Sequence, residues 1–367
     1  MDKKGNSTVV VSSVADYINQ INQISKNIGI YVNDKIAQLK SVIDKTEDVL
    51  LQHILSAYVE NLKTTDHVQR DLEQPKKSSD DKVLNNVRLN GCGFSYKMYY
   101  RGHEDPEYKL VPSVFRDGHD SSENYLYHTL ISELPNEFGL YNHMNNLVKM
   151  QHFGSDTRLL DITSNPLVAL YFACLKQKEK AGKVYVFCVP ERSVEYYDSD
   201  KVTMLSSLAA LSYDNIKMLC NLKQWLNLRL SKKSVSCQSK KIKGFYKCVR
   251  YKNNIAVQNL LNEIRRENAA FEDRMCFLDL FDSIIVQANK SNDRILKQDG
   301  AFILNGISEN IDYALKVNEK YVITEITIDN KDTILQELES LNISRASLFP
   351  DIENVARYCK DRLYKVN

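Results

Sequence analysis

Three things are scarce or missing in this sequence: excess charge of one sign, paired cysteines and long apolar runs. Its 367 residues carry 49 basic and 47 acidic side chains, a net charge of +2, so no overall field favours nucleic acid. The eight cysteines form no CxxC pair, and several stand in apolar stretches, which fits a reducing compartment. No zinc-like spacing joins them to His103, His119, His128 or His143, so we predict no metal site.

The lack of long apolar runs bears on whether the chain crosses a membrane. No segment approaches the length of apolar sequence that spans a bilayer, and the opening residues MDKKGNSTVV hold no apolar signal region. We therefore expect a cytoplasmic protein with no membrane contact. A chain of 367 residues is long enough to bury a sizeable core in one large domain or two.

The most informative stretch is QHFGSDTRLLDITSNPLVALYFA, residues 151–173. Residues 154–156 indicate a turn, and residues 157–163 read as a strand because LLDIT is apolar and β-branched. The Ser-Asn pair that follows offers a helix cap, and proline suits the first helical turn. We therefore predict a helix that begins near Pro166 and is mostly core.

The predicted strand contains charged residues, which are costly to bury without partners. Alternation places one set of side chains on one face, Thr157, Leu159, Asp161 and Thr163, and the rest on the other, Arg158, Leu160 and Ile162. Two interpretations stay open for Arg158 and Asp161. They form a structural network at the strand end, or they belong to a wet functional cleft.

Two other segments carry residues of the same kind. In KMYYRGHEDPEYKLVPSVFR, Arg101 ends a predicted strand, residues 98–101, and Gly102 follows it directly. The planar guanidinium suits a phosphate and glycine lets a ligand approach the backbone, so we expect phosphate binding here. In RILKQDGAFILNG, three residues precede a short predicted strand at 301–304, namely Arg294, Gln298 and Gly300.

These segments together resemble the FRG family, named for a Phe-Arg-Gly triplet that reads Tyr100-Arg101-Gly102 here. The resemblance also runs through the 151–173 stretch, YYDSDKV, RILKQDGAFILNG and the closing LNISRASLFPDIENVARYCK. FRG domains are widespread in bacteria and their phages, often near defence or toxin genes. The resemblance therefore implies a phage-defence or toxin effector.

The same segments also resemble, more distantly, the ADP-ribosyltransferase fold. That resemblance implies an NAD-consuming enzyme, either an ADP-ribosyltransferase or an NAD glycohydrolase. In the Arg-Ser-Glu branch of the fold, Arg101 matches the first position, and Thr157 or Thr163 matches the second. Gln298 stands near the late acidic position, and Glu325 in YVITEITI is a more distant candidate.

Site roles follow if NAD is the substrate. Cleavage of the nicotinamide bond passes through an oxocarbenium-like sugar, which requires an anchored pyrophosphate and a polar or negative group near the ribose. We predict catalytic roles for Gln298, His152 and Asp161. The predicted NAD-binding residues are Arg101, Gly102, Thr157, Arg158 and Thr163. His152 has a second interpretation, as a hydrogen-bonded histidine that caps the preceding helix.

The alternative function is a non-catalytic module that binds a nucleotide or phosphate and signals to a protein or nucleic-acid partner. A glutamine cannot act as a general base, so the surroundings of Gln298 discriminate between the two functions. A carboxylate beside it favours catalysis. A cleft of Arg, Thr and amide groups favours binding.

Strands separated by helices, with two insertions, predict an α+β fold with a mixed sheet core. The expected parts are an N-terminal helical segment and linker (1–85), a first FRG part (86–211), a basic helical insertion (212–273) and a second FRG part (274–367). Further strands are predicted at 283–288 and 321–328, and helices at 14–30, 33–68, 332–341 and after Pro350.

The basic insertion interleaves lysines with aromatic residues between positions 223 and 252. The aromatic residues are Trp225, Phe245, Tyr246 and Tyr251. Lysines can track phosphates and aromatics can stack on bases, so this segment is a candidate contact for a nucleic-acid or acidic protein partner. The alternative is a solvated helix face with ordinary core aromatics.

Overall fold

The structure is a computed structural model that describes residues 9–67, 87–88, 95–116, 118–139, 142–231, 254–272, 276–289 and 293–364. Nine strands of this part of the chain form one mixed sheet. They are β1 (Val9–Val11), β2 (Val87–Arg88), β3 (Ser95–His103), β4 (Leu159–Thr163), β5 (Gly182–Pro190), β6 (Val194–Tyr196), β7 (Ser283–Gln287), β8 (Gly300–Asn305) and β9 (Val322–Ile328). Their order is β1-β9-β5-β3-β4-β8-β7-β6, with β2 paired to β3. The predicted α+β class with a mixed sheet is confirmed.

Helices cover the sheet and fill the connections. They are α1 (Val14–Lys26), α2 (Ile28–Lys45), α3 (Val49–His67), α4 (Glu123–Glu133), α5 (His143–His152), α6 (Pro166–Cys174), α7 (Asp200–Ser206), α8 (Tyr213–Ser231), α9 (Ile255–Glu267), α10 (Asp293–Lys297), α11 (Ile311–Glu319), α12 (Lys331–Ser340), α13 (Arg345–Leu348) and α14 (Ile352–Tyr364). The predicted helix over residues 33–68 is a pair, α2 and α3, which meet at a break near Thr46.

The stretch around β4 and α6 agrees closely with the sequence prediction. The α6 helix begins at Pro166, and the side chain of Asn165 caps it by accepting from the Leu167 N–H. The predicted strand start is wrong, because β4 begins at Leu159 rather than Thr157. The Thr157 carbonyl accepts instead from the Val114 N–H at 3.3 Å, outside the sheet.

Two hydrophobic cores hold the sheet. The smaller core packs α1, α6 and α12 against β3, β5 and β9, and it contains Cys174. The larger core packs α2, α3, α8 and α9 against β4, β7 and β8 and against other residues of β3, β5 and β9, and it contains Cys188 on β5. Both thiols are buried, with 0% and 1% of the residue exposed, and burial raises the pKa of Cys174 to about 12. They are small core side chains, as the sequence predicted.

The insertion contributes α8 and α9 to the larger core. Lys223 on α8 has no exposed surface, and its Nζ lies 3.0 Å from Asp48 Oδ2 and 3.1 Å from Glu309 Oε1. Trp225 packs against the same core. The described start of the 223–252 segment is therefore structural, and Phe245, Tyr246 and Tyr251 lie outside the described residues.

Across the described ranges, no helix combines the length and the apolar character that a membrane crossing requires. The same ranges contain no group of three or more His, Cys, Asp or Glu side chains arranged to bind a metal ion.

Candidate functional site

A cavity of about 200 Å³ opens where β3 and β4 separate. The two strands pair at one position, Tyr100 with Thr163, and the pairing is not continued toward Gly102. Side chains of α5, α6 and α10 complete the cavity wall. Of the predicted site residues, the cavity brings together Arg101, Gly102, His152, Asp161, Thr163 and Gln298.

Arg101 bridges the gap between the strands. Its Nη1 donates to the backbone carbonyl of Asp161 and lies 3.9 Å from the Asp161 carboxylate, while its Nε donates to His103 Nε2 at 3.0 Å. The guanidinium therefore takes the place of the hydrogen bonds that the strands do not make to each other. Its Nη2 has no hydrogen-bond partner among the described residues and is available to a ligand.

His103 fixes the orientation of Arg101. Its Nδ1 lies 3.2 Å from the Tyr108 carbonyl, so Nδ1 carries the proton and Nε2 accepts from Arg101. Burial and the neighbouring Arg101 charge lower the pKa of His103 to about 3, which keeps the ring neutral. Sequence reasoning missed this residue, although strand alternation places positions 101 and 103 on one face.

Asp161 is the exposed residue in the middle of β4. Its backbone pairs with Phe302 on β8, and its carboxylate is 62% exposed. The neighbouring Leu160 and Ile162 are buried, so the strand is held by core packing while one carboxylate projects into the cavity region. Asp161 is thus a carboxylate beside a cation in the same cavity as Gln298.

Gly102 lines the cavity, but close packing against α6, in addition to the predicted ligand access, requires a residue without a side chain here. A Cβ at this position would lie 1.9 Å from the Ala169 carbonyl oxygen and 2.6 Å from the Ala173 nitrogen, both on α6. Glycine is therefore required for the close packing of α6 on β3. Gly182 on β5 packs against the same helix, with a Cβ distance of 2.4 Å to the Ala173 carbonyl oxygen.

The opposite wall comes from α10 and the start of β8. Gln298 donates from Nε2 to the Leu348 carbonyl at 3.1 Å. The backbone carbonyl of Gln298 accepts from the Thr163 hydroxyl at 2.6 Å. The amide oxygen of Gln298 has no hydrogen-bond partner within the described ranges. Arg294, one turn earlier, also lines the cavity, and its guanidinium packs on Phe349 at 4.9 Å.

The α5 helix supplies the third side. Gln151 and His152 are its last residues and line the cavity, and the His152 ring stacks on Phe153 with centroids 5.0 Å apart. The Gln151 amide oxygen accepts from the Thr157 hydroxyl, and Thr157 is fully buried. Thr157 thus contacts a cavity residue without lining the cavity, whereas Thr163 lines it directly.

Arg158 lies away from the cavity. Its Nε donates to Glu123 Oε1 at 2.9 Å, its Nη2 bonds Glu123 Oε2, and its Nη1 donates to the Asn305 carbonyl at 3.2 Å. Both side chains of this ion pair are at least nine-tenths buried. The structural interpretation therefore fits Arg158, which pairs with Glu123 on α4, whereas Asp161 lines the cavity beside Arg101.

Glu325, the second candidate for the late acidic position, is on β9. It pairs with Tyr185 on β5, which in turn pairs with Arg101, so β5 stands between Glu325 and Arg101. Its carboxylate lies 3.0 Å from Lys183 Nζ. Glu325 does not line the cavity.

The cavity therefore presents two guanidinium groups, one carboxylate, one imidazole and two side-chain amides around an apolar floor that includes Phe172. Arginines of this kind bind phosphate oxygens, and the carboxylate stabilises a positive charge that develops nearby. Arg294 was visible in the sequence, but no local signal distinguished it from a helix-surface arginine. Its place in the cavity depends on the tertiary fold.

Comparison with known proteins gives one match. Residues 96–182 match the family model of the FRG domain, which covers β3, β4, α6 and the start of β5. No curated protein and no solved structure matches the chain. The matched segment supplies Arg101, His152, Asp161 and Thr163, whereas Arg294 and Gln298 come from the later part of the chain.

Proposed function

We propose that the cavity between β3 and β4 binds the pyrophosphate and nicotinamide ribose of NAD and cleaves the nicotinamide bond, as an ADP-ribosyltransferase or NAD glycohydrolase. The observation that carries this proposal is the presence of one carboxylate, Asp161, beside the oriented Arg101 in the cavity that also contains Gln298. A carboxylate beside Gln298 was the condition that favoured catalysis, and Asp161 lines the same cavity as Gln298.

Arg101 is suited to hold the pyrophosphate. Two hydrogen bonds already fix its guanidinium, so little side-chain entropy is lost when a ligand binds. Nη2 offers donors to a phosphate oxygen. Arg294 supplies a second cation at the same cavity.

Asp161 is suited to the sugar. Departure of nicotinamide leaves positive charge on the ribose, and a nearby carboxylate stabilises that charge. The amide oxygen of Gln298 adds a neutral acceptor for a ribose hydroxyl. Water or a nucleophile on an acceptor molecule then bonds to the ribose carbon that nicotinamide has left, and the proton it loses passes to solvent.

A non-catalytic nucleotide-binding module is the second candidate, and one observation favours it. Asp161 is the one carboxylate among the described residues that line this cavity, and its side chain is 62% exposed. A solvated carboxylate stabilises a developing charge less than a desolvated one does. In this case Arg101 and Arg294 hold the ligand, and binding itself is the signal.

The test is nicotinamide release from NAD by purified protein, with and without a cell lysate as acceptor source. Arg101→Ala is expected to weaken NAD binding by about 30-fold, because hydrogen bonds to a charged group are lost. Asp161→Asn keeps the backbone carbonyl that orients Arg101, so it is expected to lower kcat with little change in NAD affinity. Arg357→Ala, at an exposed arginine of α14, is the matched control and should behave as the native protein.

Release that is lost in the Asp161→Asn and Gln298→Ala variants and kept in Arg357→Ala supports the enzyme. Absence of release, together with NAD binding that depends on Arg101, selects the binding module. A role as a phage-defence or toxin effector stays a prediction from the family resemblance.

A further inference from the structure

A second cavity, of about 550 Å³, adjoins the first. Three residues line both of them: Val148, His152 and Arg294. The first cavity is smaller than the roughly 300 Å³ at which ligand pockets usually begin, whereas the two together fall within the usual range. A dinucleotide whose reacting half occupies the first cavity therefore extends into the second.

The second cavity has the surface of an aromatic binding site. Phe153 is 73% exposed and Tyr197 is 40% exposed, and both line it. The Phe153 ring stacks on His152 with an interplanar angle of 28°, so its position is fixed on one side. Large exposed aromatic side chains beside a cavity are suited to stack a planar ring.

The polar groups of this cavity balance in charge. Lys149 is paired with Glu137, and the Asp351 carboxylate accepts from Asn354 Nδ2 at 2.9 and 2.8 Å. These hydrogen bonds lower the pKa of Asp351, so it is anionic. Besides Lys149 and Arg294, the cavity is lined by Asp293 and by two exposed asparagines, Asn145 and Asn289. Carboxylates and amides suit sugar hydroxyls and base edges, and the acidic groups disfavour an added phosphate.

We propose that the second cavity binds the other nucleoside of the dinucleotide, with its base on Phe153 and Tyr197 and its ribose near Asp293 and Asp351. Arg294, which lines both cavities, lies where the pyrophosphate passes from one to the other. This inference rests on the proposed function, because it extends the ligand assigned to the first cavity.

The experiment measures binding of three probes by calorimetry: adenosine, inorganic pyrophosphate and ADP. Phe153→Ala is expected to weaken adenosine and ADP about tenfold, the effect of one lost stacking contact, and to leave pyrophosphate unchanged. Arg101→Ala is expected to weaken pyrophosphate and ADP and to leave adenosine unchanged. Phe153→Trp should restore adenosine binding. Tyr125→Ala, at a 76% exposed aromatic residue of α4, is the matched control.

The outcomes separate this inference from the proposed function. Native protein that does not bind adenosine, or a Phe153→Ala variant with native adenosine affinity, overturns the nucleoside site. Nicotinamide release measured on the same preparations tests the enzyme independently. Release with no effect of Phe153→Ala rejects the site and keeps the enzyme, and the predicted probe pattern without release keeps the site and rejects catalysis.

Discussion

Two arginines lie beside β4, and their surroundings differ in one essential respect. Arg158 precedes the strand and is enclosed with Glu123, with 3% of its side chain exposed. Arg101 comes from β3 and donates to the Asp161 carbonyl in the middle of the strand, with 18% of its side chain exposed. A buried carboxylate occupies the Arg158 guanidinium. A neutral histidine and a carbonyl orient the Arg101 guanidinium and leave some of its N–H donors for a ligand. The same group is structural beside Glu123 and available to a ligand at the cavity.

Within this comparison, the substitution with the largest expected effect is Arg158→Met. Removal of the arginine leaves Glu123 buried without its partner, so the free energy of unfolding is expected to fall by about 3–5 kcal/mol. Urea denaturation measures the loss. The double variant Arg158→Met with Glu123→Leu should recover most of it, since neither charge is then buried. A single-variant loss below about 1 kcal/mol would contradict the structural role of Arg158.

Gly102→Ala tests the packing of α6 on β3 beside the cavity. The added Cβ would meet the backbone of α6, so we expect a loss of about 3 kcal/mol in the free energy of unfolding. Gly29→Ala in α2 is the matched control, because no atom lies within 4 Å of its added Cβ. That variant should gain roughly 0.5–1 kcal/mol from helix propensity. Equal effects of the two substitutions would show that Gly102 is not needed for packing.

The pH dependence of stability tests the histidine that orients Arg101. The pKa of His103 is about 3 in the folded protein and about 6.5 when unfolded. The unfolded state therefore takes up the proton first, and the stability present above pH 6.5 is lost as the pH falls toward 3. His103→Gln should remove about 1.4 kcal/mol per pH unit of this loss, or about 2 kcal/mol between pH 6.5 and 5. If the free energy of unfolding depended on pH in the same way in the variant and the native protein, this role of His103 would be contradicted.

The smallest effect is expected for Arg101→Lys. Lysine keeps the charge but lacks the planar fork, so pyrophosphate affinity should fall about fivefold, or about 1 kcal/mol. The free energy of unfolding should change little, in contrast to Arg158. An affinity equal to that of the native protein would mean that charge alone, without hydrogen-bond geometry, determines binding.

Local sequence signals predicted much of the fold. Prolines, caps and apolar periodicity located the helix that begins at Pro166, and β-branched runs located β4, β7, β8 and β9 within a few residues. Short-range physics determines these features. The open pairing of β3 and β4 is a tertiary property, and nothing in either strand indicates that they meet at Tyr100 and Thr163 alone.

The candidate site was predictable in part for the same reason. Residue chemistry indicated Arg101, Asp161 and Gln298, and the structure places all three around one cavity. Sequence reasoning did not separate Arg158 from them, because the partner that buries it, Glu123, is distant in the chain. Phe153 was missed because an exposed aromatic residue after a helix carries no local signal.

The two buried cysteines have a practical consequence for the study of this fold. Cys174 belongs to the smaller core and Cys188 to the larger one, and burial raises the pKa of both thiols. A thiol reagent modifies the thiolate and needs access to it, so each cysteine is expected to react when its own core opens. Mass spectrometry of timed alkylation would thus follow the opening of each core separately, with no introduced label.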